Sequence, residues 1–382
     1  MTTMTRTSEF IAPTGGLLLA FELGQRSWKL GFTVGFGQRP RIRQIPARAL
    51  HLLMSEIAAA KKKLGLPSEA PVISCYEAGR DGFWLHRHLL AQGITNYVVD
   101  SSSIEVNRRA RRAKTDRLDL VGLLSLLLRY VQGDRRAWRV VRVPSVVEED
   151  ARHLPRTVEA LTQDRSRLMS RLKSLLTTQG LSLPIDARFL TRLDATRLWD
   201  GTAVPPGLQE RLSRTWRQLQ EVDGQIRELK PLRLVDPAQV TPAASRALAQ
   251  LLTMRAIGPI GASVLATEIF GWRCIRNRRE LGALVGLVPA PYQSGETDYD
   301  QGITRAGNAH VRRVIVQLAW GWIHHQRDSA LTQWYQQRFG TGGKRLRKIG
   351  IVALARKLLI ALWRYLETGV VPEGARLKPI EG

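Results

Sequence analysis

Apolar residues follow two rhythms along this 382-residue chain. In the first part they come as short runs of strand length. Leu17 to Leu23 is one such run, broken only by Glu22, and a turn over Gly24 to Ser27 leads into a second, Trp28 to Val34, so the pattern predicts a hairpin. Arg41 to Ile45 reads as a third strand. Ala47 to Leu64 has the helical period and stops before Gly65 and Pro67. Val72 to Glu77 and Tyr97 to Asp100 read as further strands, Asp81 to Gln92 and Asp116 to Tyr130 as helices, and Trp138 to Val143 as a closing strand ahead of Pro144.

Beyond that point the rhythm becomes helical. Val158 to Thr178 and Leu208 to Leu232 carry heptad-like apolar spacing with dense Arg, Gln and Glu, separated by a Pro- and Gly-containing segment around Pro184 to Pro206. Two antiparallel helices follow, serving either as a plain spacer or as a dimerisation arm. After Pro237 and Pro242 the chain reads as mainly helical. The expected layout is a disordered tail over residues 1–14, an α/β domain over 15–150, a coiled-coil hairpin over 151–236 and a mainly α domain over 237–382. In the α/β domain a strand hairpin followed by alternating helices and strands is the element order of an RNase H-like fold.

Charge narrows the function. Lys and Arg number 58 against 33 Asp and Glu, a formal charge of +25, and a surplus of that size attracts a polyanion, most simply nucleic acid. Two cysteines, Cys75 and Cys274, exclude a disulfide framework and a cysteine-rich zinc site. The leucine-rich run Leu118 to Val131 is too short to span a bilayer and contains Asp119 and Arg129. No membrane segment or cleavable leader is expected, and a reducing cytoplasm fits.

Within this basic chain four acids stand where phosphodiester chemistry needs them: Glu22, placed mid-strand and therefore costly unless paired or metal-bound, Glu77 at a strand end, and Asp116 with Asp119. The last two are three residues apart, on one face of a helix. Carboxylate oxygens suit Mg²⁺, and two such ions can activate a nucleophile and stabilise a leaving oxygen. Taken singly, Glu77 reads as a loop cap and Asp116 as an ordinary acid at a helix start. Upstream, Arg108, Arg109, Arg111, Arg112 and Lys114 make five of seven residues basic, either a solvated face or a hold on a phosphate backbone.

In the last part, Ile257-Gly258-Pro259-Ile260-Gly261 is a glycine-punctuated turn between apolar helices, similar to half of a helix-hairpin-helix. Gly286 to Gly295 leads to Ser294 in a loop beside Gly295, and Arg305, Arg312 and Arg313 follow at a spacing that can neutralise a phosphate. From composition alone Ser294 is an ordinary loop serine. Lys344, Arg345, Arg347 and Lys348 open a helix whose stretch from Lys344 to Arg364 has seven basic and no acidic residues.

Three blocks together resemble a family. Tyr76-Glu77-Ala78-Gly79 and Lys114 to Asp119 look like the acidic motifs, and Gly286 to Gly307 like the serine block, of the DEDD transposases of bacterial insertion sequences. The resemblance implies a RuvC-like N-terminal domain and a serine-bearing C-terminal domain. It implies that Glu22, Glu77, Asp116 and Asp119 bind Mg²⁺ and that Ser294 forms a covalent phosphoserine link to DNA. It further implies a structured guide RNA that pairs with donor and target DNA, and homodimers that pair into a tetramer. Two positions depart from the family pattern: Glu22 stands where Asp is usual, and Ala256 where glycine is common. A RuvC-like nuclease that uses water, and a non-catalytic nucleic-acid scaffold, are the alternative readings.

Overall fold

Leu17 to Phe21 are almost wholly removed from solvent, as a strand covered on both faces requires. They form β1 (Leu17–Leu23), the central strand of a five-stranded sheet in the computed structural model, which describes residues 15–104, 116–232, 239–294 and 297–379. The others are β2 (Ser27–Thr33), β3 (Arg41–Pro46), β4 (Val72–Glu77) and β5 (Thr95–Val99), arranged β3-β2-β1-β4-β5. β2 runs antiparallel to β1 and β3, whereas β4 runs parallel to both β1 and β5.

Alternation along the strands divides the core in two. Leu17, Leu19 and Phe21 join Trp28, Leu30 and Phe32 beneath α1 (Leu50–Lys63) and α2 (Trp84–Ala91), which contribute Leu53, Ile57, Leu85 and Leu89. Leu18, Ala20 and Cys75 face α3 (Asp116–Val131) through Leu120, Leu123, Leu124 and Leu127. Gly31 allows that helix close approach: a Cβ there would lie 2.8 Å from Leu124 Cδ1. Burial also pushes the Cys75 thiol far above its ordinary range.

Three local expectations are corrected. Glu22 is the sixth of seven strand residues and half-buried, not mid-strand and buried, because the sheet's cover thins toward the carboxyl end of β1. Helix α2 begins at Trp84 and not at Asp81, since Gly82 takes a left-handed φ of 64° that delays it. The segment expected as a closing strand bonds β5 only around Val140, while Trp138 turns inward to stack on Tyr130 of α3. The calls of a disordered tail at 1–14 and a basic run from Arg108 to Lys114 lie outside the described residues.

The chain divides into two compact units, Met1–Val143 and Pro144–Gly382. The second starts with α4 (Val146–Asp150), capped by a reciprocal Ser145–Glu148 box. Then α5 (His153–Thr177) and α7 (Pro206–Leu232) pack antiparallel, with Leu172, Leu176, Leu212, Trp216 and Leu219 at their seam and an Arg165–Asp223 ion pair of 2.6 Å. The connecting segment includes a short helix α6 (Phe189–Ala195) that plugs Phe189 and Leu193 into the seam.

Next come α8 (Pro242–Thr253), α9 (Pro259–Leu265), α10 (Arg278–Leu284), a hairpin of β6 (Pro289–Ser294) and β7 (Thr297–Ile303), α11 (Ala309–His325), α12 (Ala330–Tyr335) and α13 (Lys344–Thr368). Leu354, Leu358, Leu359 and Leu362 of α13 are fully buried against this bundle. Buried Gln326 clasps the chain's last stretch, donating to the carbonyls of Arg255 and Arg376 and accepting from the Arg376 amide. Among the described residues, no helix is long and apolar enough to cross a membrane.

Ala256, in the turn between α8 and α9, has φ 80°. A left-handed conformation costs an L-residue roughly 1–2 kcal/mol that glycine avoids. Ala256→Gly is therefore expected to stabilise the protein by about 0.5–1 kcal/mol, read as a raised thermal unfolding midpoint; an unchanged or lowered midpoint contradicts it.

Candidate active site

The parallel pairing of β1 with β4 aligns Phe21 with Tyr76, so the next residues, Glu22 and Glu77, stand abreast at the carboxyl ends of adjacent strands, about 4.8 Å apart along the pairing direction. Glu22 follows Ala20, and Glu77 follows Cys75, at a spacing of two, which puts both acids on the face that α3 covers. Glu77 is exposed and Glu22 half-buried. Across the antiparallel pairing, Lys29 of β2 sits opposite Glu22.

Helix α3 begins at Asp116, and half-buried Asp119 immediately precedes Leu120. Leu120 packs on Gly31, and Gly31 pairs with Ala20, two residues before Glu22. The side chain of Asp116 lies outside the described residues. Among the described residues, no three His, Cys, Asp or Glu side chains gather closely enough to hold a metal ion. The donor chemistry of the four acids, all carboxylate oxygen, is that of a hard cation such as Mg²⁺.

The position of this edge has a topological cause. From β1 the chain turns to one side through β2 and β3, then crosses by α1 to β4 on the other side. Ligand sites of α/β sheets form at the carboxyl ends of strands at such reversals. Glu22 and Glu77 occupy the two strand ends that flank it.

Ser294 belongs to the second unit. It ends β6 and pairs with Thr297 of β7, so it lies at the tip of a hairpin and not in an open loop. Pro289 and Pro291 argue against a strand in sequence, yet both are tolerated in a two-stranded ribbon, where each strand has a free edge. The base of the ribbon is tightly knit. Gly286 (φ 66°) and Gly307 (φ 90°) leave no room for a side chain: a Cβ would meet the Ala306 carbonyl oxygen at 2.0 Å and the Leu284 carbonyl oxygen at 2.3 Å, respectively. Amides of Thr304, Arg305 and Asn308 bond the carbonyls of Val288, Gly286 and Leu284.

The basic residues of this unit divide into engaged and exposed ones. Arg312 donates to the Val285 carbonyl at 2.9 Å. Arg313 and His310 both meet Glu159 of α5. Arg305, in a left-handed backbone conformation (φ 55°), is exposed, as are Lys344, Arg345, Arg347 and Lys348 at the start of α13.

Sequence reasoning passed over Glu268, a lone acid in the apolar run from Ala262 to Phe270. It is 1 % exposed, on a π-helical turn (Ala266–Phe270). Arg156 of α5 grips it with two bonds of 2.6 and 2.8 Å, and the Asn308 side-chain amide donates to it at 2.8 Å. Asn308 also caps α11 and directly follows the strap returning from β7. Glu268 thus ties the helical hairpin to the foot of the serine-bearing ribbon. Its carboxylate raises the Arg156 guanidinium above the usual arginine range, whereas burial lowers Arg152, which lies over the Trp272 ring. The one sequence signal was that isolated charge amid apolar neighbours.

Residues 248–336 match the family model described as "Transposase IS116/IS110/IS902 family". The chain is 39% identical over 377 residues to the transposase y4rJ of Sinorhizobium fredii, with 95% of each chain covered. It is 28% identical to the transposase for insertion sequence element IS1328 of Yersinia enterocolitica, over 57% of this chain and 63% of that one. With the transposase for IS1111A of Coxiella burnetii it shares 21% identity over 74% of each.

Removal of Arg156 strands a buried carboxylate, whereas neutralising Glu268 leaves a guanidinium that is 49% exposed and can hydrate. Arg156→Ala is therefore expected to cost roughly 2–4 kcal/mol and Glu268→Gln less than half of that, measured by urea unfolding. Equal losses would refute the asymmetry.

Proposed function

Because the chain belongs to the IS116/IS110/IS902 family of insertion-sequence transposases, which are DNA-cleaving recombinases, we propose that it exchanges DNA strands through a covalent phosphoserine formed on Ser294. The observation that carries the acidic half of this reading is the side-by-side placement of Glu22 and Glu77 at the reversal point of the β3-β2-β1-β4-β5 sheet. That strand order supports an RNase H-like, RuvC-like assignment for residues 15–150. A coiled-coil hairpin over 151–236 and a serine-bearing domain over 237–382 complete the proposed layout.

In this scheme Glu22, Glu77, Asp116 and Asp119 would hold Mg²⁺, which would supply Lewis acidity toward the phosphate and its attacking hydroxyl. The Ser294 hydroxyl loses its proton to a carboxylate and its Oγ attacks the DNA phosphorus. An O–P bond of the backbone breaks, the leaving oxygen takes up a proton, and the DNA stays joined to the protein as a phosphodiester. Attack by a hydroxyl of another strand reverses these steps and frees the serine. The tip position of Ser294 suits this role, because a hairpin tip can reach a strand that a packed surface excludes.

Acids and serine lie in different units, and we assign their meeting to assembly: a homodimer, paired into a tetramer, in which the acids of one subunit serve the serine of another. Sequence choice falls to a structured RNA that pairs with donor and target DNA, leaving the protein to hold backbones. The exposed cations Lys344, Arg345, Arg347 and Lys348 supply part of that hold, with Arg305 beside the serine ribbon. A nucleoid-associated, cytoplasmic protein follows from this reading.

Ser294→Ala is expected to abolish both the covalent protein–DNA adduct, read on denaturing gels, and strand cleavage. Cleavage that survives without an adduct would assign the attack to water. Glu22→Gln is expected to raise the Mg²⁺ concentration needed for cleavage; an unaltered titration removes Glu22 from the metal site.

A further inference from the structure

We propose that Arg80, braced by Asp81 and accompanied by Arg48, is a phosphate-binding residue of the acid edge, an assignment that rests on the reading of Glu22 and Glu77 as a nuclease-type site. Arg80 is three residues past Glu77, in the loop between β4 and α2. Its Nη2 donates to Asp81 Oδ2 at 2.9 Å and toward the carbonyl of Leu23 at 3.4 Å. Leu23 is the residue after Glu22. The guanidinium therefore spans the ends of the two strands that bring the acids together.

Asp81 is the brace. Its side chain is 8% exposed, unlike the two arginines it serves, and its other oxygen lies 3.9 Å from Arg48 Nη2. Arg48 follows β3 in a left-handed conformation with φ 66°, a strain that a non-glycine residue keeps only where its surroundings fix it. Two guanidiniums against one carboxylate leave this group of three with one surplus positive charge beside the acids. Both heads keep contact with water, at 54% and 60% exposure, so each has donors to offer.

The chemistry of the edge calls for such a charge. Clustered carboxylates repel a DNA phosphate, and a cation pre-set beside them offsets that repulsion and fixes where the phosphate sits. A guanidinium does so with paired donors that match two phosphate oxygens, which an ammonium cannot match. A loop staple alone would be a poor explanation, since exposed ion pairs between neighbouring residues contribute at most about 1 kcal/mol.

The test is an excision assay in cells carrying the complete insertion element, with thermal unfolding of the purified full-length variants alongside. Arg80→Ala and Arg80→Gln are each expected to cut excision tenfold or more while unfolding midpoints move by less than about 2 °C, and Arg80→Lys is expected to recover part of the loss. Wild-type excision by Arg80→Ala, equal failure of the Lys and Gln variants, or a loss that tracks a lowered midpoint would each overturn the assignment. Glu22→Gln and Ser294→Ala run beside them separate the two levels. If those two variants excise normally, the underlying reading fails; if they are dead while Arg80→Ala is active, only the role of Arg80 fails.

Discussion

Two apolar strands paired in parallel hold the first unit's chemistry in place. β1 and β4 are buried on both faces, and their ladder admits only one register without turning a core residue to the wrong side, since a shift by one exchanges the two faces of a strand. That register puts Glu22 beside Glu77. The same alternation that drives Leu18, Ala20 and Cys75 under α3 carries both acids onto the α3 face, just past the point where cover thins. The acids are thus held by a buried, register-fixed pair of strands at the margin where the cover of α3 thins.

The second unit solves a different problem. Its ribbon of two strands has little core of its own, and a two-stranded hairpin in water is marginal. Stability comes from the base, where Gly286 and Gly307 admit carbonyls that no side chain would allow, and from Glu268, which reaches from a π-helical turn to Asn308 beneath the ribbon and to Arg156 on the helical hairpin. Burying that carboxylate is costly unless every oxygen is bonded, so the three partners fix one another's positions.

Most strand and helix identities in the first unit were legible because each rests on a local period: a short apolar run of strand length, or a spacing of three and four. What was not legible depended on long-range contact. Nothing around Trp138 announces that its ring will stack on Tyr130 instead of extending a strand, and nothing around Glu22 says how far the α3 cover extends. Ser294 reads as a loop residue from the glycine beside it, and no local period announces the pairing with β7 that makes its segment a strand. Glu268 was missed since its partners lie 112 and 40 residues away. Ala256 was legible in the opposite sense: the departure from glycine marked a position whose backbone turned out to be left-handed.

The surplus of +25 already counts every Arg–Glu and Arg–Asp pair as zero, so pairing leaves it intact and decides only which cations face outward uncompensated. Arg312 satisfies a carbonyl, Arg313 and Arg156 meet Glu159 and Glu268, and Arg165 meets Asp223. The cations that remain outward at the head of α13 are placed against local electrostatics, with four positive side chains and no acid in the first turns of a helix whose amino end is itself positive. Like charges crowded at that end repel one another and the helix dipole, and the phosphate backbone of the proposed reading would relieve both. On the proposed reading, cations set where they destabilise the free chain, rather than spread over its surface, are the ones that hold the backbone.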